Sequence, residues 1–203
     1  MNKFITFEGG EGSGKSTQAK LLAEYLTACG VDVFMTNEPF FPAIRELLLI
    51  EGEEWHPISE TLLFLADRYE HINNFIKPAL ERGEWVICDR FTDSTIAYQG
   101  FGHQLGADFV SELSEKTYPD GLLKPDLTFV LDIPADVGVK RALSRYDGEE
   151  RFERMDLSFH ERVREGFLSI AEVEKNRCIV LDANKEILHL KMEIAEIVFE
   201  KWK

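Results

Sequence analysis

Gly9-Gly10-Glu11-Gly12-Ser13-Gly14-Lys15-Ser16-Thr17 fits G-x-x-x-x-G-K-[ST], a spacing of residue types that can hold a polyphosphate. The glycines let successive backbone N–H groups turn inward on phosphate oxygens. A helix beginning at the same place adds partial positive charge. Lys15 can reach the β- and γ-phosphates of ATP, and the Ser16 hydroxyl can ligate Mg²⁺. The motif needs a strand before it and a helix after it. Both are legible: Phe4-Ile5-Thr6-Phe7 is β-rich, and Ala19, Leu22, Ala23 and Leu26 repeat at helical spacing between Gln18 and Cys29. The plainer meaning, a glycine-rich turn without a ligand, does not require that context. Gly9 to Thr17 is therefore the candidate ATP site.

Three further segments carry chemistry. Asp89 ends the apolar run Trp85-Val86-Ile87-Cys88, the Walker-B arrangement that orients Mg²⁺ beside the phosphates. Arg90 follows, and its guanidinium can grip a phosphate with two parallel hydrogen bonds. Taken singly, Asp89 could be a helix N-cap and Arg90 a surface ion pair; behind an apolar strand in a chain with this loop, the phosphate reading is favoured. Phe64 and Arg68 stand one turn apart on one helical face, so a ring and a guanidinium could receive a base. Spacing alone favours a core Phe and a solvated Arg. Finally, Arg141, Arg145, Arg151 and Arg154 flank Asp147-Gly148-Glu149-Glu150 in a polar stretch. It suits a lid, about residues 144–156, that brings arginine to phosphates; a solvated charged loop is the commoner meaning of such a run.

The elements that must position these residues form a regular alternation. Five β-rich runs, Lys3–Glu8, Val31–Thr36, Trp85–Asp89, Leu127–Asp132 and Cys178–Asp182, are separated by helical patterns, among them Ala135–Leu143 and Phe159–Asn176. This predicts an α/β fold with a parallel sheet covered on both faces. Ligands then bind at the carboxyl ends of the strands, where the P-loop, Glu38, Asp89-Arg90 and Asp132 all fall. The 203 residues suit one domain, 1–203. A formal charge of −14 and a pI near 4.8 argue against non-specific nucleic-acid or membrane binding, so any phosphate site must be a local basic cluster. No apolar run approaches the roughly 20 residues of a membrane span, and no signal peptide precedes the first strand. Three cysteines without metal-ligand spacing read as free thiols in a reducing, cytoplasmic setting.

Together these segments resemble the thymidylate kinase family over nearly the whole chain. The resemblance rests on Phe7–Thr17, on Leu63-Phe64-Leu65-Ala66-Asp67-Arg68, on Lys77-Pro78-Ala79-Leu80 and on Asp89-Arg90-Phe91-Thr92-Asp93-Ser94 followed by Ala97-Tyr98-Gln99-Gly100. Lys124-Pro125-Asp126-Leu127-Thr128, Leu131-Asp132-Ile133-Pro134 and Arg151-Phe152-Glu153 are also similar. It implies a P-loop NTPase fold with a five-stranded parallel sheet, a homodimer, Mg²⁺, and transfer of the ATP γ-phosphoryl group to dTMP, giving dTDP. By motif, Phe64 stacks on thymine, Arg68 bonds its carbonyl edge, Arg90 grips the dTMP phosphate, and Tyr98 and Gln99 close around sugar and base. Glu11 lies near the sugar or acceptor phosphate, and Glu38 on the dTMP side. The loop has no basic residue between Gly10 and Ser13, which matches the bacterial-type group whose lid supplies the arginine. Catalysis is then carried by Lys15, Arg90 and a lid arginine, Arg145 or Arg151, with the metal at Ser16 and Asp89.

One departure stands out. The family usually shows Glu-Pro-Gly-Gly-Thr and a longer loop after the second strand, whereas this chain runs Glu38-Pro39-Phe40-Phe41-Pro42 into an apolar helix, about four residues shorter. That puts the roles of Glu38 and Phe41 in question. Other classes fit less well. A nucleoside kinase needs a base near the 5′-hydroxyl, and a GTP switch needs Asn-Lys-x-Asp, for which Asn184-Lys185-Glu186-Ile187 lacks the aspartate.

Overall fold

The computed structural model describes residues 3–49, 55–118, 121–144 and 151–203. Five strands, β1 (Phe4–Glu8), β2 (Val33–Asn37), β3 (Trp85–Asp89), β4 (Leu127–Asp132) and β5 (Cys178–Asp182), form one sheet in the order β2-β3-β1-β4-β5. Every pairing is parallel. The expected sheet is therefore present, with β2 displaced towards the C-terminus. The cause lies in the preceding helix, α1 (Lys15–Ala28). It ends with Gly30 at φ 83°, the Gly30 N–H on the Thr27 carbonyl and the Val31 N–H on the Leu26 carbonyl. That is a Schellman termination, which consumes Val31 as the apolar residue packing back on the helix.

Alternate residues of the strands face opposite sides. Ile5, Phe7, Ile87, Leu127, Phe129 and Leu131 pack against α1 and the last helix, α9 (Ile187–Lys201). The other face pairs Phe4, Val86 and Cys88 with Ile72, Ile76 and Phe91, and Val130 with Phe159, Val163 and Phe167 of α8 (Leu157–Val173). That face also carries Thr6 and Thr128, whose hydroxyls bond each other at 2.7 Å, and Glu8.

The remaining helices are α2 (Pro42–Leu49), α3 (Pro57–His71), α4 (Lys77–Glu81), α5 (Thr92–Thr95), α6 (Ala107–Thr117) and α7 (Ala135–Leu143). Two π-helical stretches interrupt them: Ile72–Ile76 joins α3 to α4, and Ile96–Gly102 continues α5. Wide turns of this kind occur at functional sites, and the second carries Tyr98 and Gln99. It lies tightly on α8: a Cβ on Gly102 would come within 2.7 Å of the Phe159 ring, and one on Gly166 within 2.9 Å of the Phe101 ring.

The P-loop is seated on the start of α7. Gly12, at φ 65°, leaves no room for a Cβ, which would stand 2.0 Å from the Gly138 carbonyl oxygen; a Cβ on Gly138 would stand 2.3 Å from the Glu11 carbonyl oxygen. Both obstacles are backbone atoms, so neither can swing aside. Gly138→Ala is expected to lift the loop, with a loss of stability of about 1–3 kcal/mol, the usual scale of overpacking. Urea denaturation checks the loss of stability, and weakened binding of a non-hydrolysable ATP analogue by calorimetry checks the displaced loop.

Candidate active site

A cavity of about 390 Å³ opens at the carboxyl ends of β1, β2 and β3. Glu11, Gly12, Gly14, Lys15 and Ser16 line one part of it, and Glu38, Phe64, Arg68, Asp89, Arg90, Tyr98 and Gln99 line the rest. Gly9, Gly10, Ser13 and Thr17 complete the turn without lining it. The residues just named, up to 88 positions apart in the chain, are thus gathered around one space. Arg145 lies outside the described residues.

The P-loop turns through three glycines with positive φ, Gly9 (136°), Gly12 (65°) and Gly14 (90°), before α1 begins at Lys15. Lys15 is buried, and its ammonium donates to the Gly10 carbonyl at 2.7 Å and the Ser13 hydroxyl at 3.3 Å. Burial and then repulsion from Arg90 lower its pKa to about 8, against the smaller pull of Glu11, Asp89 and Glu8. Ser16 donates its hydroxyl to Asp89 Oδ2 in a short contact. The other oxygen, Asp89 Oδ1, is buried without a partner. A carboxylate with a spare oxygen beside a P-loop hydroxyl suits Mg²⁺, which takes one or two carboxylates and fills its other positions with water and phosphate oxygens. Asp89 does not cap α5, since no side chain caps that helix.

Arg90 has φ 68°, an uncommon conformation for a side-chain-bearing residue. Three contacts hold it there. Its N–H donates to the Phe7 carbonyl at 2.9 Å, and Glu8 accepts from the Phe91 N–H at 2.8 Å and the Ser94 hydroxyl at 2.6 Å. Burial, with Asp93 nearby, raises the Glu8 pKa to about 7. The Arg90 guanidinium bonds Glu11 at 2.7 Å and lies over the Tyr98 ring at 5.0 Å. Tyr98 donates to the same Glu11 oxygen. Burial would raise the Glu11 pKa, but Arg90, Lys15 and the Tyr98 bond together bring it down to about 2. Arg90 is thus no surface ion pair. It is a preorganised, permanently charged group at the meeting of the P-loop and the cavity.

Helix α3 presents Phe64 half-buried and Arg68 buried, both into the cavity. The solvated-arginine alternative is therefore ruled out. Arg68 donates from Nε to Glu38 at 2.7 Å and from one terminal nitrogen to the Phe91 carbonyl at 3.0 Å, while its other terminal nitrogen, also buried, has no hydrogen-bond partner. Thr95 lines the same cavity, and its hydroxyl is likewise buried and unpartnered. A donor and a hydroxyl left unsatisfied beside an aromatic ring are what a pyrimidine-dione edge requires. The sequence reading missed Thr95; the unbonded hydroxyl, visible only in three dimensions, is what marks it.

The loop after β2 leaves Glu38 held in place. Asp67 accepts the Phe40 and Phe41 N–H groups, each at 2.8 Å, and Phe40 stacks on His71 with ring centroids 4.4 Å apart. His71 in turn faces Glu38 at 3.1 Å. Phe41 packs on Phe75 and does not line the cavity. Arg151 does not line it either: it bonds the Leu48 carbonyl at 3.0 Å and Glu60 at 2.5 Å. Its neighbours Phe152 and Glu153 do face the cavity.

The model of the thymidylate kinase family matches residues 7–194. This chain belongs to that family. It is 47% identical to "Thymidylate kinase" of Caulobacter vibrioides, with 98% of this chain and 96% of that protein covered. It is 44% identical to "Thymidylate kinase" of Geobacter sulfurreducens, with 99% and 98% covered. A solved structure, the crystal structure of thymidylate kinase from Ehrlichia chaffeensis, superposes with a TM-score of 0.77 at 36% identity, over 97% of this chain and 98% of that one. The P-loop NTPase fold follows from that likeness.

The depressed pKa of Lys15 can be tested. At pH 8 the ammonium is about half protonated without ligand, and phosphate oxygens favour the charged form. Binding of an ATP analogue at pH 8 should therefore take up about half a proton at this site. Calorimetry in buffers of different ionisation enthalpy measures the uptake, and Lys15→Met should remove it.

Proposed function

We propose that the chain is a thymidylate kinase, which transfers the γ-phosphoryl group of ATP to dTMP and releases dTDP and ADP. The observation that carries the reading is the pairing, around one cavity, of a complete P-loop with an acceptor pocket. That pocket holds both a fixed guanidinium, that of Arg90, and an unsatisfied guanidinium nitrogen, that of Arg68.

Phosphoryl transfer asks the protein for positioning and positive charge more than for covalent chemistry. In this reading the P-loop N–H groups and Lys15 hold the β- and γ-phosphates. Arg90 exchanges part of its bonding from Glu11 to the dTMP phosphate and sets an acceptor oxygen in line. That oxygen is already ionised, so no general base is required. Phe64 stacks on thymine, Arg68 and Thr95 meet its polar edge, and Tyr98 and Gln99 close the sugar side. Ser16 and Asp89 would hold Mg²⁺, which would supply positive charge to neutralise the phosphates. The lid supplies the remaining positive charge, for which Arg145 is our first candidate, because Arg151 is engaged by Glu60. The reading places the enzyme in the cytoplasm, where ATP is available and where free thiols such as the buried Cys88 and Cys178 persist.

Incubation with ATP, Mg²⁺ and each of a panel of nucleosides and monophosphates should yield dTDP from dTMP as the main product. Lys15→Ala, folded by circular dichroism, should lose on the order of 10² or more in kcat, the scale of one preorganised electrostatic contact. Near-normal turnover in that variant would contradict the assignment.

We further propose a homodimer. Helix α3 exposes Ile58, Leu62 and Tyr69 at spacings of four and seven, so the three stand along one side of the helix. A second copy covers this stripe in our reading. Light scattering should give a mass near 47 kDa, twice that of the 23.3 kDa chain, and Leu62→Glu should halve it. A wild-type monomer at micromolar concentration would refute the dimer.

A further inference from the structure

Glu60, on the first turn of α3, is fully buried, and a buried carboxylate must be paired by hydrogen bonds or opposite charge. Its partners come from two other parts of the chain. Oε1 accepts from Gln99 Nε2 at 2.8 Å and faces His103 Nε2 at 3.1 Å. Oε2 accepts from Arg151 at 2.5 Å. One carboxylate therefore joins α3, the π-helical stretch with the residue just beyond it, and the described part of the lid.

All three parts carry cavity-lining groups. Phe64 stands one turn along α3 from Glu60, on the same face. Gln99 is itself in the wall. The Arg151 guanidinium lies over the ring of its neighbour Phe152 at 4.9 Å, and that ring meets Tyr98 edge-on at 5.5 Å and Phe64 at 6.3 Å. Arg151, through Glu60, seats Phe152 against the rings on the dTMP side. For Arg151 to reach the transferring phosphoryl group, Glu60 would have to lose its strongest cation.

We propose that Glu60 is a positioning residue that fixes Gln99 and bolts the lid segment Arg151-Phe152 onto the acceptor half of the site. Arg151 acts through this link and leaves the charge on the γ-phosphoryl group to another residue. The inference rests on the acceptor-site reading above.

Glu60→Gln tests it with little change of shape. An amide can offer its oxygen to Gln99 or to Arg151, and turns N–H donors on the other. Steady-state kinetics of the full chain are compared for wild type, Glu60→Gln, Arg151→Ala, Arg151→Lys and the double variant Glu60→Gln/Arg151→Ala. Glu60→Gln and Arg151→Ala should each raise the KM for dTMP about tenfold and leave the KM for ATP within about twofold. The double variant should be no worse than the worse single, whereas independent contributions would multiply to about 100-fold. Arg151→Lys should recover part of the loss, since an ammonium can still meet Glu60.

Multiplying effects would overturn the link. So would an Arg151→Ala enzyme with kcat down about 100-fold at unchanged KM for dTMP, which would put Arg151 on the transferring group. If Glu60→Gln does not fold, the contrast between Arg151→Ala and Arg151→Lys decides alone. Wild-type chain that does not phosphorylate dTMP overturns the functional reading, and this proposal falls with it.

Discussion

A site for two polyanionic ligands has to store positive charge in a buried place before either ligand arrives. That constraint organises the cavity. In a chain of net charge −14, carboxylates are in ready supply, and three guanidinium groups in or beside the cavity are each matched to one: Arg90 to Glu11, Arg68 to Glu38, Arg151 to Glu60. The pairing offsets desolvation while keeping each guanidinium aimed. Lys15 is the exception. It rests on a neutral carbonyl and a hydroxyl, close to Arg90, and its pKa falls to about 8 in consequence. The charge that must meet the most highly charged part of the ligand is thus the least compensated in its absence. Phosphate binding then relieves a cost already present in the folded chain.

The arginine pairs are themselves held from behind. Glu8 brackets Arg90 through the Phe91 N–H and the Ser94 hydroxyl. Asp93, one residue away, is bound by both terminal nitrogens of Arg177 at 2.7 and 2.9 Å, and Arg177 also reaches Thr128 of β4. The left-handed turn at Arg90 is therefore fixed to β1 and, through Asp93, to β4. The raised pKa of Glu8 gives this support a pH signature. A carboxyl that binds its proton more tightly when folded favours the folded state below its unfolded pKa, near 4.5. The contribution is lost as pH rises through about 7.

Legibility in the sequence followed the distance over which each feature is determined. The P-loop, the number and chain order of the strands and Asp89-Arg90 are local patterns, and they stand where composition and spacing put them. The start of β2 was misplaced because Val31 is apolar in either role, and only the Gly30 turn decides between strand and helix cap. Phe64 and Arg68 were visible as a pair, but the spacing favoured a solvated arginine; the partner that buries it, Glu38, lies 30 residues away. Gly138, Thr95 and Glu60 carried no signal, for their significance lies in contacts with Gly12, with the cavity and with Arg151. The π-helical turn that brings both Tyr98 and Gln99 to the wall has no recognisable spacing at all.

The two halves of the site also differ in what they are made of, and this explains why they identify so differently. The donor half is mostly backbone: N–H groups of a glycine loop pressed on Gly138, whose conformation any polyphosphate could use. It is encoded in nine consecutive residues and is correspondingly generic. The acceptor half is made of side chains from β2, α3, β3 and the turn after α5, each oriented by another. Glu38 illustrates the dependence. The loop that follows it is short, yet Asp67 ties the Phe40 and Phe41 N–H groups and Phe40 covers His71, so that Arg68 finds its carboxylate all the same. The position of Glu38 is set by α3, on which it leans through Arg68 and His71, rather than by the length of the loop beyond it.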